Sequence, residues 1–179
     1  MKDTLNGIPR VDLQARAPWK RTLSWWAGGK LVSTRLGTAL YRGVVVPIEA
    51  PVMKASRGRL RPSFTAPIAV LTSTGARTGR RLDTPLGYFT DGDDVILIAS
   101  NWGGDRHPSW YHNLRAHPDC ELHIGPRGGQ FVARETDGDD RDRLFGLAAE
   151  RFNKMFALYE RRTHGVRKIP VLRLTPVPS

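Results

Sequence analysis

From Pro67 onward, apolar and polar residues mostly alternate with period two, and the spacing becomes helical only twice. Ile68-Ala69-Val70-Leu71 is the first predicted strand. Residues 84–89 and 95–99 are predicted to pair as a hairpin around Asp91-Gly92-Asp93, a strong turn signal. A short helix is predicted to start at Pro108, in the preferred first helical position, and to stop before Pro118. Residues 120–124 alternate cleanly, and the turn Gly125-Pro126-Arg127-Gly128-Gly129 leads into a partner strand at 131–134. One longer helix is then expected, capped by Asp137, with Leu144, Phe145, Ala148, Phe152, Phe156 and Tyr159 along its apolar stripe. Residues 169–174 form the last predicted strand, where Pro170 points to an edge or a bulge.

The first third reads differently. Residues 1–18, punctuated by Gly7, Pro9 and Pro18, have no periodic pattern and are expected to be unstructured. Trp25, Val32, Leu36 and Leu40 recur at roughly helical intervals, with Gly28-Gly29 as a break, and a second short helix is expected over 47–57. Tryptophans beside Lys20, Arg21, Lys30 and Arg35 fit a helix lying on a membrane surface, or an ordinary packing helix with solvated charges. The division expected is therefore residues 1–64 as a basic arm with helices and residues 65–179 as the main domain. Hairpins joined by few helices make that domain mainly β with α, an antiparallel sheet or small barrel with external helices.

A chain of 179 residues with 40% hydrophobic content can bury one ordinary core. Its net charge of +11 is uneven: eleven Lys/Arg against three carboxylates lie in residues 1–60. Such an arm suits phosphate or an anionic membrane. No continuous apolar stretch approaches a membrane span, and the lone Cys120 excludes an internal disulfide framework. These features point to the cytoplasm, with possible peripheral contact at the inner face of the membrane.

Candidate chemistry sits in two glycine-bearing loops that each follow a strand. Ser73-Thr74-Gly75-Ala76-Arg77-Thr78-Gly79-Arg80-Arg81 combines turn glycines, hydroxyls and guanidinium forks. It lacks the order of a P-loop, and a plain polar turn is its alternative reading. Ser100-Asn101-Trp102-Gly103-Gly104 leads into His107-Pro108-Ser109-Trp110-Tyr111-His112-Asn113-Leu114. Trp110, Tyr111 and Leu114 share a helix face that can fill the core, whereas Asn113 must find partners if buried. His107, His112 and His117 recur every five residues and so do not share a helix face. Cys120 and His123 point to opposite sides of their strand, so a metal site is not indicated. No Ser-His-Asp or Cys-His arrangement appears. Anion-binding donors with aromatic walls, and no nucleophile, suit redox chemistry borrowed from a bound cofactor.

These segments, with Pro85-Leu86 between them and Arg115-Ala116-His117-Pro118 after them, resemble the deazaflavin-dependent nitroreductase and quinone reductase family over about residues 65–175. The resemblance implies a split β-barrel of about six mostly antiparallel strands and coenzyme F420 as cofactor. It also implies hydride transfer to a quinone, nitroaromatic or activated enone. By motif position it assigns Gly75, Ala76, Arg77, Thr78 and Arg81 to the cofactor's anionic tail, and Thr84, Pro85 and Leu86 to the deazaflavin channel. Ser100, Asn101, Gly103, Ser109, Trp110, Tyr111 and Asn113 would add contacts, and Phe156 and Tyr159 would meet the substrate, Tyr159 as a possible proton donor. The chain departs from the family where Ala76, Leu82 and Asn101 replace frequent cations, and Tyr159 is the sole tyrosine of its helix. An FMN-binding split barrel, a non-catalytic cofactor or lipid carrier and a basic nucleic-acid-binding module are the alternatives. The last has the weakest support, because the charge is concentrated in the arm and no nucleic-acid motif appears.

Overall fold

The computed structural model describes residues 3–14 and 67–178. The helices expected within 19–46 and 47–57, and their membrane contact, lie outside the described residues.

Six strands close into one antiparallel barrel: β3 (Ile68–Thr74), β4 (Arg81–Asp91), β5 (Asp94–Ile98), β6 (Asp119–Ile124), β7 (Arg127–Glu135) and β8 (Val171–Pro176). Around the barrel the order is β3-β4-β5-β8-β7-β6. Inward positions carry Ala69, Leu71, Leu97, Leu122, Phe131 and Leu174, all at or near zero exposure. The predicted hairpins are present, with β4 and β7 longer than the pattern indicated. Pro170 stands just ahead of β8, where its carbonyl accepts the Ala99 N–H at 2.9 Å. The proline therefore takes no donor place in the ladder, and β8 is paired on both sides.

The barrel is not paired evenly. β4 runs for 11 residues and pairs with β3 from Arg81 to Gly87, but only Tyr88–Asp91 meet β5. Among the described residues its first seven have no strand on their other edge, which marks a seam between β4 and the segment following β5.

Helix α1 (Ser109–Ala116) covers the end of the barrel that bears this seam, burying Trp110, Tyr111, Asn113 and Leu114. Each such apolar side chain contributes about 1.5–3 kcal/mol. The single long helix expected from the apolar stripe is instead two. Helix α2 (Gly138–Leu147) runs into a π turn (Ala148–Phe152), Asn153 is extended, and helix α3 (Met155–Thr163) follows. Asn153 causes the break: its Oδ1 accepts the Met155 N–H at 3.0 Å, the competition for backbone donors that favours asparagine at helix starts. Asp137 occupies the cap position of α2 but makes no side-chain cap bond. It acts beside Asp139 and Asp140 through the helix dipole.

Residues 3–14, expected to be unstructured, form a short hairpin of β1 (Thr4–Leu5) and β2 (Ile8–Pro9). It closes the barrel end opposite the seam, with Leu5, Ile8, Val11 and Leu13 buried. Asn6 Nδ2 donates to the carbonyls of Gln130 (2.9 Å) and Val177 (2.8 Å). A Cβ on Gly7 would lie 2.7 Å from Gly128 N, and Gly7 sits at φ +82. The absence of periodicity in a segment this short concealed its four apolar anchors.

Candidate active site at the barrel seam

The chain directions bring both glycine loops to the same end of the barrel. The first is a tight turn: Gly75 N–H donates to Arg80 O and Gly79 N–H to Gly75 O, each at 2.8 Å. A side chain on Gly75 would press to 2.7 Å from Thr78 Oγ1. That hydroxyl therefore braces the turn, and it also accepts the Arg80 N–H at 3.4 Å. Asn113 ties the loop to α1. Its Oδ1 accepts the Ala76 N–H at 3.0 Å and its Nδ2 donates to Ser73 Oγ at 3.2 Å. The partners required of a buried amide are thus protein groups, and the Ala76 N–H is already engaged.

Arg77 and Arg80 project from this turn into solvent and make no side-chain hydrogen bond or ion pair among the described residues. Arg81 is placed differently. It pairs with Glu121 Oε1 at 2.7 Å on the outer wall, where Glu121 also accepts from Gln130 (2.8 Å) and contacts His123 Nε2 (2.9 Å). The His123 bond leads in holding the Glu121 carboxyl down at about 2, with help from Gln130 and Arg81. A cleft of about 370 Å³ on this wall is lined by Val70, Thr72, Arg81, Asp83, Glu121 and His123. Alternation along β4 puts Pro85 on the face of Arg81, and Thr84 and Leu86 on the opposite face. Thr84 and Leu86 are half-buried beside the seam.

The second loop is a left-handed turn. Asn101, Trp102 and Gly103 have φ of 46, 58 and 71 in succession, a region that residues with a Cβ seldom occupy. Gly103 N–H donates to Ser100 O and Gly104 N–H to Asn101 O, both at 3.0 Å. The Asn101 side chain reaches Arg106 O at 2.7 Å. A Cβ on Gly103 would lie 2.8 Å from Tyr159 Cδ1, so glycine is what lets α3 approach. Gly87 does the same for the π turn, with the Phe152 ring 3.2 Å from its notional Cβ. Phe152 and Phe156 stack at 6.2 Å and 8° between ring planes, and Phe156 meets Tyr159 edge-on at 6.3 Å. The break at Asn153 thus folds an aromatic row over the seam.

Several of the predicted ring contacts are committed to packing. Trp110 is buried under α1, and Tyr111 donates its hydroxyl to Glu135 Oε2 at 2.9 Å, with its pKa raised by burial first and then by that carboxylate. Ser109 is exposed at the first turn of α1. The half-buried indole beside the seam is Trp102, which the sequence reading left out of the site. Tyr159 is 2% exposed, and its hydroxyl has no hydrogen-bond partner among the described residues. Burial pushes its pKa up to about 12, so it stays protonated. Arg167 also escaped notice: its guanidinium bonds three carbonyls of the 99–104 segment, and nothing in the sequence separates it from the other arginines.

A hydride-transfer cofactor with an anionic tail needs fixed cations, amide donors and a narrow apolar channel. The exposed forks of Arg77 and Arg80, the left-handed turn with its Asn101 amide and the Thr84–Leu86 wall all lie at one end of the barrel, so the residues fit such a group.

The chain is similar to known proteins over most of its length. The model of the F420H(2)-dependent quinone reductase family matches residues 47–176. An F420H(2)-dependent quinone reductase of Mycobacterium tuberculosis is 36% identical over 145 residues, covering 79% of this chain and 88% of the relative. A solved F420-H2-dependent reductase is 33% identical with a TM-score of 0.54, over 60% of this chain and 93% of that one. Another solved relative, described as a domain-swapped dimer, has the same identity and TM-score and covers 60% of this chain and 79% of that one. With the match spanning most of its length and the six-stranded antiparallel barrel in place, the chain belongs to the F420H(2)-dependent quinone reductase family.

Proposed function

We propose that this protein oxidises reduced coenzyme F420 at the barrel seam and passes the electrons to a quinone. Arg77 and Arg80 hold the anionic tail, Thr84 and Leu86 line the channel, and the Asn101 N–H of the 100–104 turn offers an amide donor. Pro85 and Arg81, turned toward the outer wall, play at most an indirect part. The observation that carries this reading is the convergence, at one barrel end, of a strand edge and two arginines that are unpaired among the described residues with a left-handed turn.

When bound, the reduced deazaflavin supplies a hydride, and the quinone needs one further proton to become a hydroquinone. The chain's own work is orientation, exclusion of water and delivery of that proton. Phe152 and Phe156 give a flat apolar wall for the acceptor ring. Tyr159, protonated and without a hydrogen-bond partner among the described residues, donates to the acceptor oxygen as negative charge develops there. Phe156 and Tyr159 are buried, so access of the acceptor to them requires α3 to move outward. The cations of residues 1–60 suit an anionic membrane surface, where lipophilic quinones reside.

Mixing the full chain with reduced F420 and menadione, and following the absorbance of the oxidised deazaflavin, tests the reading. Acceptor-dependent oxidation is expected. Tight FMN binding with no deazaflavin turnover would overturn it.

A further inference from the structure

Arg167 lies between α3 and β8, yet its guanidinium serves a segment 60 or more residues earlier. Nη2 donates to Ser100 O at 2.7 Å, Nε to Gly104 O at 2.9 Å, and Nη1 to Ala99 O at 3.3 Å. Nη1 also lies 3.1 Å from His107 Nδ1. A guanidinium has no acceptor, so His107 Nδ1 accepts this bond and His107 carries its proton on Nε2. A planar fork can satisfy carbonyls in several directions at once, which the single point of a lysine ammonium cannot.

The direction of these bonds matters more than their number. All described peptide bonds are trans, so each peptide's N–H points away from its own C=O. The carbonyl of Ser100 faces Arg167, and the N–H of the same peptide, that of Asn101, therefore faces the other way. Ser100 is right-handed (φ −69, ψ −30) and Asn101 left-handed (φ 46). This order of conformations gathers successive N–H groups into an anion-binding concavity. A charge-assisted bond to the carbonyl also polarises the amide on the far side of the peptide. Without a clamp, two non-glycine residues with positive φ would relax to other conformations.

We propose that Arg167 is a positioning residue for this enzyme. It locks the carbonyls of Ala99, Ser100 and Gly104 on one side, so that the Asn101 amide stays aimed, as a donor, at an anionic group of the cofactor. The proposal rests on reading the 100–104 turn as part of the cofactor site. On its other side Arg167 borders a cavity of about 510 Å³ with Arg161, His164 and Lys168, so a shorter or flatter side chain is accommodated.

Hydrogen exchange of the cofactor-free protein gives the first test. In Arg167→Lys the Gly103 and Gly104 amides are expected to exchange about 10-fold faster or more, while the β5–β8 ladder amides stay unchanged. The second arm is kinetic: the KM for reduced F420 rises about 10-fold with kcat nearly constant. Millimolar guanidinium should restore slow loop exchange in Arg167→Ala. Unchanged loop exchange in Arg167→Lys, or equal acceleration throughout the ladder, overturns the proposal. Lack of deazaflavin turnover by the unsubstituted protein would instead sink the functional reading, leaving the exchange result to be judged by itself.

Discussion

Asn113 and Ser73 meet through a buried 3.2 Å hydrogen bond that fastens the helix over the barrel to the strand entering the first glycine loop. The other end of the same amide holds Ala76 N–H. Asn113→Ala strands both the Ser73 hydroxyl and the Ala76 amide, a loss of about 1–3 kcal/mol. Urea unfolding should show this deficit, and F420 titration should show weaker binding because the Arg77 turn is no longer anchored. A variant with wild-type stability and affinity would remove Asn113 from the site's framework.

Arg77 and Arg80 give the opposite combination. Neither has a partner to lose among the described residues, so alanine at both positions should leave the unfolding midpoint within experimental error. Cofactor affinity should fall about 10- to 100-fold, as expected when a charge-assisted bond to phosphate or carboxylate is lost. Arg81→Ala should act in reverse, loosening the outer wall around Glu121 with little change in affinity.

Acid sensitivity follows from two carboxylates. Arg173 leads in lowering the Asp140 carboxyl to about 2, with Arg143 assisting, and His123 leads in lowering Glu121 to about 2. Both folded values are depressed, so their contribution is complete above the ordinary carboxylate range and is lost as pH falls through about 4.5 to 2. Unfolding free energy should therefore drop with proton uptake across that window. Asp140→Asn should flatten the slope while lowering stability at neutral pH, and an unchanged slope would contradict this assignment.

Much of the fold was legible in the sequence for a physical reason. Period-two patterning and the Asp91-Gly92-Asp93 turn signal arise from local backbone preference, and they recover all six barrel strands. The seam was not legible, because it depends on β4 outrunning β5, and strand ends carry little side-chain signal. The helix break was missed because Asn153 lies within an uninterrupted apolar stripe, where capping competes with periodicity. Gly75 and Gly103 were legible as glycines but not as contact points, since Thr78 and Tyr159 reach them only in three dimensions. Trp110 and Tyr111 illustrate the converse: a motif marks them, yet packing explains their burial.

The N-terminal hairpin should matter for stability and not for catalysis. Ile8 is fully buried at the barrel end remote from both loops. Ile8→Ala is expected to cost about 2–5 kcal/mol. Arg10, which donates to Gly92 O and pairs with Asp93, adds a smaller exposed contribution. The KM for reduced F420 should stay at its wild-type value in any such variant that remains folded, because the affected contacts lie at the opposite barrel end. A KM change in Ile8→Ala at temperatures well below its midpoint would refute this separation.

Gly103 and Tyr159 offer the sharpest distinction between packing and chemistry. Gly103→Ala combines a positive φ with a Cβ 2.8 Å from the Tyr159 ring, so it must push α3 away or unwind the turn. Both stability and cofactor affinity should fall. Tyr159→Phe removes only a hydroxyl with no partner among the described residues, and the folded state should lose nothing and gain slightly. If that hydroxyl donates to the acceptor, kcat with menadione should fall about 10- to 100-fold at constant F420 affinity. In Tyr159→Phe the pH profile should also lose any limb attributable to a phenol of raised pKa. Full turnover in this variant would mean that the quinone draws its proton from solvent, and would reduce Tyr159 to a packing partner of Gly103.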